Sequence, residues 1–237
     1  MRAYAVCIAQ GSLPAEARPY LMGGRLIAPS KDGSEDHRPI GAGTAWRRIV
    51  SGFLQSKVQS LQKDIFTPLQ LGVGSSRGPQ LMSSTTRLLL EHDPEAVTLK
   101  LDFSNAFNTC SRKTFLDFCA RKLPVLLPFL HAAYSEPSFI TALTDDNSTI
   151  RLLSSRGCTQ GDPLGGFCFA ASIHEPILES TDAAHPSIRI LALHDDVELT
   201  GKPAHLYDAV HGLLTRSSDC SLSAAAHKFT LYAPCLL

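Results

Sequence analysis

Long apolar runs are what this 237-residue chain has least of. The longest, PLGGFCFAASI at 163–173, is far below the roughly 20 residues that a membrane-spanning helix needs, so a helical membrane span is not expected. Charge of one sign is lacking too: 22 Lys and Arg meet 22 Asp and Glu. The seven cysteines form no CxxC pair and keep no regular spacing with the histidines, which excludes a zinc framework. An odd count without a disulfide pattern points to reduced thiols in an intracellular protein. The N-terminus MRAYAVCIAQGSLPAEA has one Arg and an apolar run at the short limit for a signal peptide. No phosphate-binding loop lysine, HExxH or GxSxG is present. GVGSSRG at 72–78 has Arg77 where a dinucleotide fingerprint needs its third glycine. DDNSTI at 145–150 lacks the glycine and closing glutamate of a calcium loop.

What remains is a globular composition, 44% hydrophobic and 19% charged, in a length that suits one large domain or two small ones. The charge is uneven. Residues 1–87 hold eleven Lys and Arg against five Asp and Glu; residues 88–237 hold eleven against seventeen. That split suits a basic segment that holds polyanions beside an acidic one that holds metal.

The periodicities alternate between helix and strand. TAWRRIVSGFLQSKVQSL puts Trp46, Ile49, Val50, Phe53, Leu54 and Leu61 at helical spacing, with Arg47, Arg48 and Lys57 elsewhere on the wheel. AVTLKLDF alternates, with Leu99, Leu101 and Phe103 on one face and Thr98, Lys100 and Asp102 on the other. SRKTFLDFCARKL and PVLLPFLHAAY read as short helices. SFITALTDDNSTIRLLSS reads as a hairpin turning at Asp145 to Ser148. DPLGGFCFAASIHEPILES reads as a helix with Asp162 as N-cap and Pro163 at its first position. SIRILALHDDVELTG is strand, tight turn, strand, and PAHLYDAVHGLLTRSS is a further helix. The class is α+β.

LALHDDVELTG at 191–201 carries the sharpest question. Asp195 and Asp196 stand side by side between apolar runs, where repulsion and desolvation both oppose them. A hairpin would present both at one tip of a sheet. If the strand that ends in Asp102 is a neighbour, three carboxylates converge, and a hard divalent cation is the natural filler. Two such ions about 3.5–4 Å apart serve phosphoryl transfer, one at the attacking oxygen and one at the leaving oxygen.

Three stretches occur in order: LKLDFSNAFNTCSR (99–112), SSRGCTQGDPLGGFCFAASIHE (154–175) and LALHDDVEL (191–199). Together they resemble motifs A, B and C of reverse transcriptases, those of non-LTR retrotransposons and related retroelements in particular. The likeness runs over about residues 20 to 232. It implies an α+β reverse-transcriptase palm, an antiparallel sheet packed on helices, with partial fingers and the thumb missing. A basic fingers-like segment would occupy 1–95 and the palm 96–237, with motifs A, B, C and a degenerate D.

The resemblance also implies roles. Asp102, Asp195 and Asp196 would be catalytic and would hold two Mg²⁺ ions, with Mn²⁺ as a substitute. Lys31 and Arg38 would meet the incoming triphosphate. Phe107, five residues after Asp102, would exclude a 2′-hydroxyl and select deoxynucleotides. Gln160 and Gly161 would approach the template and nascent base pair, and Lys228 would serve the leaving pyrophosphate. The partners implied are an RNA template, a DNA primer, deoxynucleoside triphosphates and further domains of a larger polyprotein; the location implied is nuclear.

The chain departs from the family pattern in places. Leu193 replaces the aromatic residue of motif C. Gly166 stands where proline is common, and an alanine run replaces the Asn-Pro of motif D. His194 occupies the variable position and is read as tolerated, not catalytic. Two alternatives stay open: an inactive retroelement-derived fragment that keeps the fold and binds nucleic acid, and an RNA-dependent RNA polymerase.

Overall fold

A computed structural model describes residues 1–27, 39–144 and 146–234. Lys31, Arg38 and Asp145 lie outside the described residues. The helices are α1 (Arg2–Ala9), α2 (Arg18–Leu21), α3 (Ala45–Phe66), α4 (Gly78–His92), α5 (Ala106–Thr109), α6 (Arg112–Lys122), α7 (Leu127–Tyr134), α8 (Gly165–Ala183) and α9 (Pro203–Asp219). The strands are β1 (Gly24–Ile27), β2 (Ile40–Gly43), β3 (Val97–Leu101), β4 (Ser138–Leu143), β5 (Thr149–Ser154), β6 (Arg189–Leu193), β7 (Asp196–Gly201) and β8 (Thr230–Tyr232). They make two compact units, each assembled from two stretches of chain: Met1–Val58 with Phe107–Cys168, and Gln59–Ala106 with Phe169–Leu237.

The first unit carries a sheet of order β2-β1-β4-β5. β1 pairs antiparallel with β2 and parallel with β4, and β4 and β5 form the expected hairpin. Its core is aromatic, built from Phe115, Phe118 and Phe129 with Tyr134, all at most 2% exposed. Among them lies a buried cation, the guanidinium of Arg47. This reverses the face expected for α3. Ile49, Phe53 and Leu61 are exposed, whereas Arg47, Val50, Ser51, Val58, Gln62 and Phe66 are buried. The buried stripe keeps helical spacing but mixes polar with apolar residues, because the polar members find partners inside.

The second unit holds an antiparallel sheet of order β6-β7-β3-β8. The alternation of β3 sets its two faces. Leu99 pairs with Leu199 and Leu101 with Val197; Leu101, Val197 and Leu199 are fully buried. Ile190 and Ala192 of β6 extend this apolar face, and Phe169, Ile173 and Ile177 of α8 and Leu213 of α9 add to the unit's core. Each buried Leu, Val, Ile or Phe among them contributes roughly 1.5–3 kcal/mol by leaving water. The opposite face is polar. Thr98 and Thr200 share a 2.8 Å hydrogen bond, and Lys100 pairs in register with Glu198. α4 lies on this side, where the Thr86 hydroxyl donates to Glu198 Oε2 at 2.8 Å. A cavity of about 740 Å³ opens there, lined by Met82, Thr86, Thr98, Lys100, Asp196 and Glu198 among others.

The helix expected from Asp162 starts at Gly165 instead. Asp162 Oδ1 does accept from the Leu164 N–H at 2.9 Å. Its carboxylate is chiefly occupied by Arg47 and Ser51, which hold the chain in a loop until Gly165.

Candidate functional site

The three aspartates gather at one end of the second sheet through strand direction alone. Asp102 follows β3 by one residue, and Asp196 opens the antiparallel β7. Because Leu101 stands opposite Val197, the next position of each strand brings Asp102 opposite Asp196. Asp195 sits in the turn itself. That turn is two residues, His194 and Asp195, closed by the Leu193–Asp196 pair. Only one of the two aspartates is therefore a turn residue. His194 has φ 56°, the positive value that a tight hairpin asks of its first turn residue. Leu193 fills the pre-turn position and lines the cavity beside α4.

Two lysines face two of these carboxylates. Lys100 Nζ lies 3.2 Å from Asp196 Oδ1, and Lys228 Nζ lies 3.3 Å from Asp102 Oδ2. The second contact is built by backbone. Ser104 N–H donates to Ser223 C=O at 2.8 Å and Ala225 N–H to Asp102 C=O at 2.9 Å, so the chain before Lys228 runs alongside motif A. All four side chains are between 34% and 49% exposed. Among the described residues, no three His, Cys, Asp or Glu side chains converge so as to hold a metal ion. The donor chemistry, carboxylate oxygen, suits a hard divalent ion, but the described side chains do not converge as a ligand set. The carboxylates of Asp102 and Asp196 face ammonium groups.

His194 is half-buried, and desolvation holds its imidazole below the ordinary histidine range against the pull of Asp196. Nothing local in the sequence marks the group that holds its backbone. Gln70, fully buried, accepts from the His194 N–H at 2.8 Å and donates to the His194 C=O at 3.2 Å.

The motif B loop and Phe107 belong to the first unit. The Phe107 carbonyl accepts from the Cys158 N–H at 2.7 Å, which ties the segment after motif A to the start of motif B. Gly157 has φ 62°, and a Cβ there would collide with the Phe107 and Asn108 backbone. Gln160 is half-buried, and its carbonyl accepts from the Gly41 N–H at 2.9 Å. Gly161 is exposed with φ 106°, a backbone conformation that favours glycine.

Beneath this loop is a buried polar network that the sequence did not announce. Arg47 Nε bonds Asp162 Oδ2 at 2.7 Å, and Ser51 Oγ donates to Oδ1 at 2.5 Å. Arg47 also donates to the Met22 carbonyl, to Tyr134 Oη at 2.8 Å and to Thr159 Oγ1 at 3.3 Å. Tyr134 Oη in turn accepts from the Thr159 N–H at 3.1 Å. Burial opposes the charge on Arg47, but Tyr134 and Asp162 more than offset it and the guanidinium stays protonated. Arg112 stacks on the Tyr134 ring and donates to the Gly157 carbonyl at 2.9 Å. The signal available in the sequence was a polar residue at each of positions 47, 51 and 62, spaced on one helical face.

No family model matches the chain. Over 177 residues it is 25% identical to the Retrotransposable element SLACS 132 kDa protein of Trypanosoma brucei gambiense, across 72% of this chain and 14% of that protein. In fold it is similar to telomerase from Candida albicans in complex with a fragment of telomeric RNA, with TM-score 0.63 and 13% identity over 94% of this chain and 43% of that one. It is also similar to the BmCPV RNA-dependent RNA polymerase at its elongation state, with TM-score 0.59 and 8% identity over 98% of this chain and 22% of that one. The chain thus spans less than half the length of each. These likenesses bear out the resemblance to retroelement reverse transcriptases read from the three motifs, and the α+β palm fold with it.

Proposed function

We propose that this reverse transcriptase-like chain is the RNA-directed DNA polymerase portion of a retroelement protein. The observation that carries the reading is the placement of Asp102, Asp195 and Asp196 at one end of an antiparallel sheet, on a polymerase-type fold. In this reading Asp102, Asp195 and Asp196 hold two Mg²⁺ ions, which supply charge neutralisation at the attacking and leaving oxygens. The residues of the chain do the positioning. Lys100 and Lys228 aim two of the carboxylates that would hold the ions. Lys228, already beside Asp102, supplies a proton to the leaving pyrophosphate. Phe107 crowds a 2′-hydroxyl, and Gln160 and Gly161 offer a bare loop to the nascent base pair. The RNA template, the DNA primer and deoxynucleotides are the matching partners.

RNA-templated primer extension with Mg²⁺ tests this directly, beside an Asp195→Ala, Asp196→Ala variant. Deoxynucleotide incorporation by the wild type alone is expected. Equal incorporation by both proteins would sink the assignment. Preference for ribonucleotides would favour an RNA polymerase, to which the elongation-state likeness lends weight.

A second reading has its own observation. Asp102 and Asp196 each face a lysine, and no three described carboxylates converge on a metal position. A retroelement-derived chain that binds nucleic acid without turnover fits this arrangement. Salt-dependent binding to template–primer by a folded protein that incorporates nothing would support it.

A further inference from the structure

The hairpin that carries Asp195 and Asp196 hangs at the outer edge of its sheet. β6 is the edge strand in the order β6-β7-β3-β8. An edge strand presents unpaired backbone groups on its free side, and a tight turn at its end is easily displaced. Here the free side is covered by a short segment that follows α3. Leu71 N–H donates to the Ala192 carbonyl at 2.7 Å, and Ala192 N–H donates to the Leu69 carbonyl at 2.7 Å. Gln70 pairs parallel with Ala192 as an isolated bridge.

Backbone pairing stops at Ala192, two residues short of the turn. From there the side chain of Gln70 takes over. Its Oε1 accepts from the His194 N–H at 2.8 Å and from the Gly72 N–H at 3.0 Å. Its Nε2 donates to the His194 carbonyl at 3.2 Å. One buried amide therefore meets both backbone polar groups of the first turn residue, as a neighbouring strand would. The fit is close on both sides: a Cβ at Gly72 would come within 2.7 Å of the His194 nitrogen and 2.9 Å of its ring. The chemistry is specific to glutamine. A methionine would fill the same volume and bond nothing. A glutamate would keep the accepted bonds but, ionised, would set a negative oxygen against the His194 carbonyl.

We infer that Gln70 is a positioning residue for the polymerase site. Its amide fixes the backbone of His194 and thereby aims the adjoining carboxylates of Asp195 and Asp196. The inference rests on the reading of those aspartates as catalytic. Gln70 touches neither substrate nor reacting atoms and acts through the hairpin.

The test compares wild type, Gln70→Met and Gln70→Glu in two measurements. The first is amide hydrogen exchange of peptides that contain Gly72 and His194, with thermal unfolding as the control for a folded protein. The second is steady-state primer extension, resolved into kcat and KM for the deoxynucleotide. Faster exchange confined to these two peptides is expected in Gln70→Met, and a smaller change in Gln70→Glu, which keeps both accepted N–H bonds. A fall in kcat of up to about 100-fold is expected, with KM changed little, because a carboxylate displaced by an ångström reacts badly without binding substrate less. Unaltered exchange at His194 in a folded Gln70→Met would overturn the inference. So would loosened exchange with kcat at the wild-type level. If the wild type extends nothing, the polymerase reading has failed on its own, and the exchange data still decide whether Gln70 holds the hairpin. Should Gln70→Met not fold, Gln70→Glu carries the kcat comparison: it keeps both N–H bonds but repels the His194 carbonyl, and an unchanged kcat in it would overturn the inference.

Discussion

Two aspartate environments in this protein stand in contrast. Asp162 in the first unit is 1% exposed and held by Arg47 and Ser51 in a network whose donors and acceptors are met. Asp102 and Asp196 in the second unit are 34% and 49% exposed and face lysines across 3.2 to 3.3 Å. The first arrangement is costly to break, because removing either partner strands a charge in a low dielectric. The second is cheap to exchange, because water and salt screen it. One aspartate serves architecture, and the others remain available for a cation or a substrate.

The largest expected effect breaks the buried pair. Arg47→Met should lower unfolding free energy by about 3–5 kcal/mol, since it leaves Asp162 uncompensated. Denaturant unfolding checks this, and adding Asp162→Leu should recover much of the loss. Should Arg47→Met cost no more than an exposed pair does, the contrast between the two environments is wrong.

A similar loss should follow when the apolar face behind the exposed carboxylates is hollowed. Leu101→Ala should cost about 2–5 kcal/mol, the usual range for a buried leucine. Its effect on extension should follow the fraction folded at the assay temperature.

The exposed end should behave in the opposite way. Lys228→Met and Lys100→Met should each shift stability by no more than about 1 kcal/mol. Lys228→Met should nonetheless slow extension by about 10²–10⁴-fold if it is the proton donor, read as kcat under saturating deoxynucleotide. A Lys228→Met protein that extends normally would remove that role and leave only a surface ion pair.

Near neutral pH the smallest effect concerns the thiols, whose ionisation matters only in alkali. Burial raises the Cys119 thiol from 9.0 to about 12. A raised folded value means that the thiol's contribution to stability is complete below pH 9.0 and is lost as pH rises towards about 12. Unfolding curves of wild type and Cys119→Ala should therefore converge over that window. Cys7 is exposed and the five other described cysteines are buried, so Cys7 should react first with a thiol reagent.

Much of the second unit was readable in advance because its signals are local. The alternation in 97–101 placed Asp102, and the LHDD turn between two apolar strands placed Asp195 and Asp196. α6, α7 and α9 followed from periodicity. What could not be read depends on distant partners. Gln70 is an ordinary polar residue until Ala192 and His194, more than 120 positions on, come alongside it. Asp162 looked like a helix cap because nothing local reveals an arginine 115 residues away. α4 escaped notice because SSTT occupies its middle, and serine and threonine are weak helix formers. β1 and β2 are four residues each, too short for alternation to show.

The interleaving of the two units carries a consequence for how the chain comes to order. β3 pairs with β7, and Leu99 meets Leu199 a hundred residues later. β8 closes the other side of β3 later still, at Thr230–Tyr232. Synthesis from the N-terminus thus delivers the strand that ends in Asp102 long before either of its neighbours. Closing so long a loop is slow, and the central strand waits with both edges open. The end of the sheet that carries Asp102, Asp195 and Asp196 is among the last parts of the chain to assemble, and its open edges in the meantime are a natural place for a chaperone to act.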